Sequence, residues 1–350
     1  MKASQGDLLQ DYHNCVNQFT HLVVMPVARL FLEQLPLTFP NDVTFYPNGY
    51  VQIDNLHVIK NRNSSSLAEV ASLMSGVDEN VINLHPIVVF PLQFDWQQFL
   101  AYGHRQNMEF IRSLSDHVDR KCFNFIRYRQ CSLFTNGDPI HNLPGRAGQI
   151  NTNHMMAGAL LYNHFDREAR IIGGDAFTHI ITRGLGLSLE SIDHSEFPSH
   201  GEVGSIVGHA LLLYTAMLEA NNPTSFFVQA LSLLEFLADP NEYRKFEEVK
   251  KIIARYVAKN AVDYDALLNR FRELTSKQED ITGRQIGYRT LIIHMGKRLE
   301  DIVTDIEQRR SIFLELDKCI RSIIDHMIIH SEFKFDNYLK IRNELQPFKK

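Results

Sequence analysis

From Pro223 to His330 the apolar residues recur at helical spacing almost without interruption, and this run constrains the fold more than any other feature. Phe226, Phe227, Ala230, Leu233, Leu234 and Leu237 form one wide stripe, which at about 3.6 residues per turn falls on a single helix face. Asp239-Pro240-Asn241 breaks it. Val249, Ile252, Ile253 and Tyr256 line a second helix, and Leu267, Leu268 and Phe271 a third. A short element follows at 288–296. Leu299 to Ile329 then reads as one long helix, with Ile302, Ile306, Ile312, Leu316, Ile320, Ile323 and Met327 facing inward. Val203 to Ala220 adds a helix ahead of them all. Such stripes are buried only against one another, so short-linked helices predict an all-α bundle over residues 200–350.

The first 195 residues have a different texture. In His21 to Leu35 strand and helix signals compete, and a short helix is favoured at its end. Val43 to Tyr46 and Tyr50 to Ile59 read as two strands around Asn48-Gly49. Val81 to Phe90 is an apolar run cut by Pro86. Asp95 can cap a helix from Trp96 to about Val118. Cys122 to Phe134 alternates like a strand, Met155 to Tyr162 reads as helix, and Ala169 to Ile172 as strand. Ala176 to Thr182 is ambiguous. Helices among irregular strands predict an α+β region. Ser191 to Gly204, polar and holding Pro198, is the linker between the two parts.

Composition narrows the function classes. No apolar run reaches the roughly 18 residues needed to span a bilayer, and the first seven residues carry no apolar leader. Four scattered cysteines, Cys15, Cys122, Cys131 and Cys319, make neither a thiolate zinc site nor a disulfide scaffold. A reducing cytoplasm is the expected compartment. The 36 Lys/Arg and 41 Asp/Glu divide as 22 and 20 over residues 223–350, leaving 14 and 21 before them. Neither part is basic enough to neutralise many phosphates, so any RNA contact must be local. Gly173-Gly174 and the glycines at 184 and 186 match no nucleotide fingerprint and read as turns and close packing. His194, His200 and His209 lie near Glu190, Glu196 and Glu202, but without His-Glu-x-x-His; His164 with Glu168 is equally weak. No metal or cofactor is expected.

The chemistry concentrates at Tyr288-Arg289-Thr290-Leu291-Ile292-Ile293-His294-Met295-Gly296. Apolar residues tether this stretch to a core, while Arg289 and His294 stand at its edge. Positions five apart on a helix are roughly 140° apart, so one helix does not readily aim both at one small target. Two copies meeting across a symmetry axis would. The same Arg-x4-His spacing occurs at Arg112/His117 and Arg321/His326, inside longer helical runs; only the Arg289 example follows a break at Ile281-Thr282-Gly283 and ends in His-x-Gly.

That context resembles the signature of the HEPN superfamily (higher eukaryotes and prokaryotes nucleotide-binding), in particular its ApeA-like branch, over the last third of the chain. Gln229 to Leu237, with Leu234-Glu235-Phe236-Leu237, is similar to the family's first long helix. The resemblance implies a dimeric, metal-independent RNA endonuclease of phage-defence or toxin type. Arg289 and His294 would be its catalytic pair, with Glu235 and Thr290 in support. Arg289 would hold a phosphate, and His294 would move a proton near neutral pH. Thr290 stands where active members carry Asn, Asp or His, and Met295 separates His294 from Gly296. A non-catalytic dimerisation or nucleotide- and RNA-binding module is the alternative. Glu235 is the lone charge between Leu231 and Leu237, and is expected to be buried and paired with Arg289.

Overall fold

The computed structural model describes residues 21–33, 35–49, 57–58, 76–133, 142–151, 155–163, 165–166, 168–182, 184–276 and 286–345. The chain divides into two compact units, 1–194 and 195–350, with the boundary inside the stretch read as a linker.

The first unit is built on a seven-stranded sheet. Its strands in chain order are β1 (His21–Pro26), β3 (Leu37–Phe39), β4 (Val43–Tyr46), β5 (His57–Val58), β6 (Ile87–Leu92), β7 (Met156–Asn163) and β8 (Glu168–Asp175). Their spatial order is β3-β4-β6-β1-β7-β8-β5. The pairs are antiparallel except β5 with β8, which is parallel. A separate parallel pair joins β2 (Leu30–Phe31) to β9 (Leu187–Ser188). Strand β1 lies between β6 and β7, with all six residues buried.

Each face of this sheet is covered. On one, Leu22, Val24, Val89 and Leu160 form a core with Val77 and Ile82, the latter from the short helix α1 (Glu79–Asn83). Gly158 and Gly173 face each other in register, and a methyl group on either would strike Val77 at 2.6 Å. The pair thus forms a flat floor for that valine. On the other face, Phe90 stacks on His117 at 5.2 Å, and Phe45 lies 5.4 Å from Phe123. His117 belongs to α3 (His104–Val118), which follows α2 (Trp96–Leu100). Asp95 caps α2, its Oδ1 accepting the Gln98 amide at 3.0 Å.

Several sequence expectations are corrected in this unit. The end of 21–35 forms strand β2 and no helix. The Trp96–Val118 helix is two helices, interrupted at 101–103. Val43–Tyr46 pairs with β3 and β6, whereas His57–Val58 lies at the far edge, so the two do not form a hairpin. Most of the second expected strand lies outside the described residues. Cys122 to Phe134, read as a strand, begins with a wider π-type turn at Asp119–Phe123 and continues as helix α4 (Asn124–Gln130). Met155 to Tyr162, read as a helix, is strand β7. Helix α4 and strand β7 are buried on nearly all sides. An element without a wet face shows no period in its apolar residues, so their spacing misleads.

Among the described residues the second unit is built of helices alone. Its helices are α5 (Glu202–Leu218), α6 (Pro223–Ala238), α7 (Phe246–Val257), α8 (Ala261–Thr275), α9 (Tyr288–Ile293), α10 (Leu299–Ile302), α11 (Ile306–Ile329) and α12 (Phe335–Glu344). Asn222 starts α6 and Asn260 starts α8 by accepting amides of the first turn. Helix α11 is central, and Ile312, Leu316, Ile320, Ile323 and Met327 are all buried. Two details differ from the sequence reading. Leu299 to Ile329 is broken at 303–305, where Asp305 recaps the chain, and Ile306 is 61% exposed instead of inward. Helix α12 has no counterpart in the expected bundle. Among the described residues, no helix is long and apolar enough to cross a membrane.

Candidate functional site at the Arg289 helix

Helix α9 has only six residues, too few to stand without tertiary support. Its support is the C-terminal cap of α8. The Ser276 carbonyl accepts both the Gly287 amide at 3.1 Å and the Thr290 hydroxyl at 2.8 Å. Ile292 is buried beneath the helix. Gly287 is required by close approach. A Cβ there would meet the backbone of Ser276, and would lie 2.7 Å from the Thr275 nitrogen and 2.8 Å from its carbonyl carbon.

Arg289 is held from two sides. Its Nη2 lies 2.8 Å from Glu235 Oε1 on α6, and its Cζ lies 5.6 Å from the centre of the Phe246 ring on α7. The expected partner is therefore in place, but the expected reason is corrected. The two side chains are 22% and 27% exposed, so Glu235 is not a buried charge in need of rescue. A guanidinium has five N–H donors in a planar fork. One ion pair leaves donors able to meet a second anion.

Thr290 turns inward. It is 8% exposed and its hydroxyl is committed to the Ser276 carbonyl, so it braces the helix and does not extend the surface beside Arg289. His294 is the opposite case. It follows the last residue of α9 and is exposed, with no side-chain hydrogen bond or ring contact among the described residues. Gly296 has φ +66° and its amide reaches the Ile292 carbonyl at 3.2 Å, an αL helix cap. The glycine of His-x-Gly thus ends the helix and sets where His294 leaves it. Arg289 and His294 are not bonded to each other. The structure joins Arg289 to Glu235 and leaves His294 outward.

The segment that carries them is basic and partly apolar, with the Glu235 carboxylate set against it at Arg289. Residues 288–298 include Arg289, His294, Lys297 and Arg298 and no carboxylate. Ile293 and Met295, on either side of His294, are 48% and 53% exposed.

The two other Arg-x4-His pairs are absorbed by structure. His117 stacks on Phe90, and burial, followed by the charges of Lys121 and Arg120, pushes its pKa below the ordinary histidine value. Arg321 binds Asp317 at 2.9 Å and the Tyr214 hydroxyl at 2.6 Å. His326 Nδ1 meets the Tyr338 hydroxyl at 3.2 Å, and burial lowers its pKa. Of the three histidines, His294 alone has an imidazole uncommitted among the described residues.

The weaker sequence candidates do not assemble into sites. No group of three His, Cys, Asp or Glu comes within metal-holding reach among the described residues. The His194 Nε2 lies 3.0 Å from the Thr38 carbonyl instead; His164 lies outside the described residues. Gly184 and Gly186 have φ of +85° and +89°, as turns require. Phe246 is the site residue that the sequence reading missed. It was legible only as the first apolar residue of the helix after the 239–241 break. No family model, curated protein or solved structure matches this chain.

Proposed function

We propose that residues 195–350 act as a metal-independent RNA endonuclease unit of HEPN type, working as a homodimer, in a phage-defence or toxin setting. One observation carries this reading: Arg289 is clamped by Glu235 and Phe246 while His294, five residues on, is exposed and uncommitted among the described residues. In the proposed reaction a ribose 2′-oxygen attacks the adjacent phosphorus and the 5′-oxygen leaves. His294 takes the proton from the 2′-hydroxyl, and Arg289 binds the phosphate oxygens as charge builds on them. A second copy supports the geometry, because Arg289 and His294 leave one short helix in different directions. The exposed Ile293 and Met295 would be covered by that copy.

The inward Thr290 and the partial neutralisation of Arg289 by Glu235 favour a second reading, a module that binds RNA or a nucleotide without cutting it. One experiment separates the two: single-stranded RNA incubated with the full chain in EDTA, with His294→Ala alongside. Cleavage that falls by about 10²–10⁴ in the variant, at unchanged melting temperature, supports the nuclease. Intact RNA with retained binding supports the module. Cleavage equal in both proteins overturns the assignment of His294.

A further inference from the structure

The connection between α6 and α7 runs from Asp239 to Lys245, and both of its ends are anchored at Arg289. Glu235 lies in the last turn of α6, and Phe246 is the first residue of α7. The loop is also fixed internally around one carboxylate. Asp239 is 8% exposed; its Oδ1 accepts the amides of Asn241 and Glu242, each at 3.2 Å, and its Oδ2 accepts Arg244 Nε at 2.6 Å. Arg244 continues to Glu248 at 3.5 Å and to Glu242 at 3.6 Å.

This held loop presents Tyr243 at 83% exposure, the highest among the large apolar side chains of the described residues. Its ring touches no other ring and its hydroxyl has no partner among them. Phe246 is three positions after Tyr243, so their Cα atoms lie within about 11 Å of each other. An exposed aromatic side chain therefore stands on a held loop whose two flanking helices both reach Arg289, a guanidinium that keeps donors free. Lys245, Lys297 and His294 are exposed nearby in sequence on the same two elements.

We propose that Tyr243 is the stacking platform for an unpaired nucleobase whose neighbouring phosphate lies on Arg289. This rests on the RNA reading above and assigns its substrate as single-stranded. Bases in a duplex have both faces already stacked, whereas a splayed base offers a π-face to an aromatic side chain. The backbone of the same strand supplies the negative charge that the remaining Arg289 donors bind. Because Asp239 holds the loop in place, little ordering is lost on binding.

The test uses the full chain carrying His294→Ala, so that RNA stays intact. The probes are a fluorescein-labelled oligoadenylate and a ribose-phosphate strand of equal length without bases, and binding is read by anisotropy. The base-bearing strand should bind about tenfold tighter. Adding Tyr243→Ala should erase that gap, Tyr243→Phe should keep it, and the melting temperature should not move. If Tyr243→Ala keeps the gap while Arg289→Ala weakens binding, RNA binding stands and the role of Tyr243 is overturned. If neither strand binds the His294→Ala protein, the RNA reading falls and this inference with it.

Discussion

Replacing Gly287 by alanine tests whether the placement of α9 on α8 governs the site. Gly287 has φ −64°, which alanine adopts freely, so the perturbation is purely steric. Its new methyl would lie 2.7 Å from the Thr275 nitrogen and closer still to that of Ser276, so relief to an ordinary 3.4 Å contact separates the segments by at least about 0.7 Å. That shift stretches the 3.1 Å bond from Gly287 to the Ser276 carbonyl to about 3.8 Å and the Thr290 bond from 2.8 Å to about 3.5 Å. Overpacking costs about 1–3 kcal/mol, and each lost hydrogen bond about 1 kcal/mol. These overlap, so a local loss of about 2–4 kcal/mol is expected. The assay is amide hydrogen exchange by mass spectrometry. Peptides covering 286–298 should exchange at least about tenfold faster, while those of α11 stay protected. RNA cleavage should fall although Arg289 and His294 are both present. Unchanged exchange across α9 would refute the claim that Gly287 is required by close approach.

Three further outcomes are expected. A double-mutant cycle with Glu235→Ala and Arg289→Ala should return a coupling of about 0.5–1 kcal/mol that shrinks in high salt, since the pair is about a quarter exposed; a coupling above about 3 kcal/mol would mark a buried pair instead. Asp119→Ala should destabilise the first unit by about 3–5 kcal/mol in urea unfolding, because it removes a carboxylate partner from Arg127, 1% exposed and bound to Asp119 at 2.7 Å. Finally, His21, His85, His117 and His326 all have pKa values lowered foremost by burial. The unfolded chain then takes up protons first as pH falls below about 6.5, so stability present at neutral pH is lost on acidification. His326→Gln should reduce this slope, and a melting temperature that rises below pH 6 would contradict the sign.

The sequence was most readable where an element has one wet side. The stripes of α6 and α11 repeat at 3.6 residues because solvent faces the gaps between them. Strand β7 and helix α4 lack that contrast, and each was assigned the other's geometry. At the site, the pairing of Glu235 with Arg289 was legible as one charge in an apolar run. The inward turn of Thr290 was not, because a threonine at a helix edge serves a backbone carbonyl or a ligand equally well. Gly296 was legible as part of a motif, while its physical task is a left-handed cap. Tyr243 gave no signal, since an exposed aromatic residue in a loop belongs to no period.

The order of strands in the first unit has a consequence for how the chain comes to fold. Val23 is flanked by Phe90 on one side and Leu161 on the other, partners roughly 70 and roughly 140 residues away in sequence. The middle of that sheet therefore stays open on one side until β7 has left the ribosome, and β1 must wait with a bare edge. Several helices of the second unit meet neighbours close in sequence, as α5 meets α6, α7 meets α8 and α9 meets α8, while α10, α11 and α12 return to distant partners. Topology of the first kind slows folding and the second kind speeds it. In a refolding experiment, the unit synthesised last should be the one completed first.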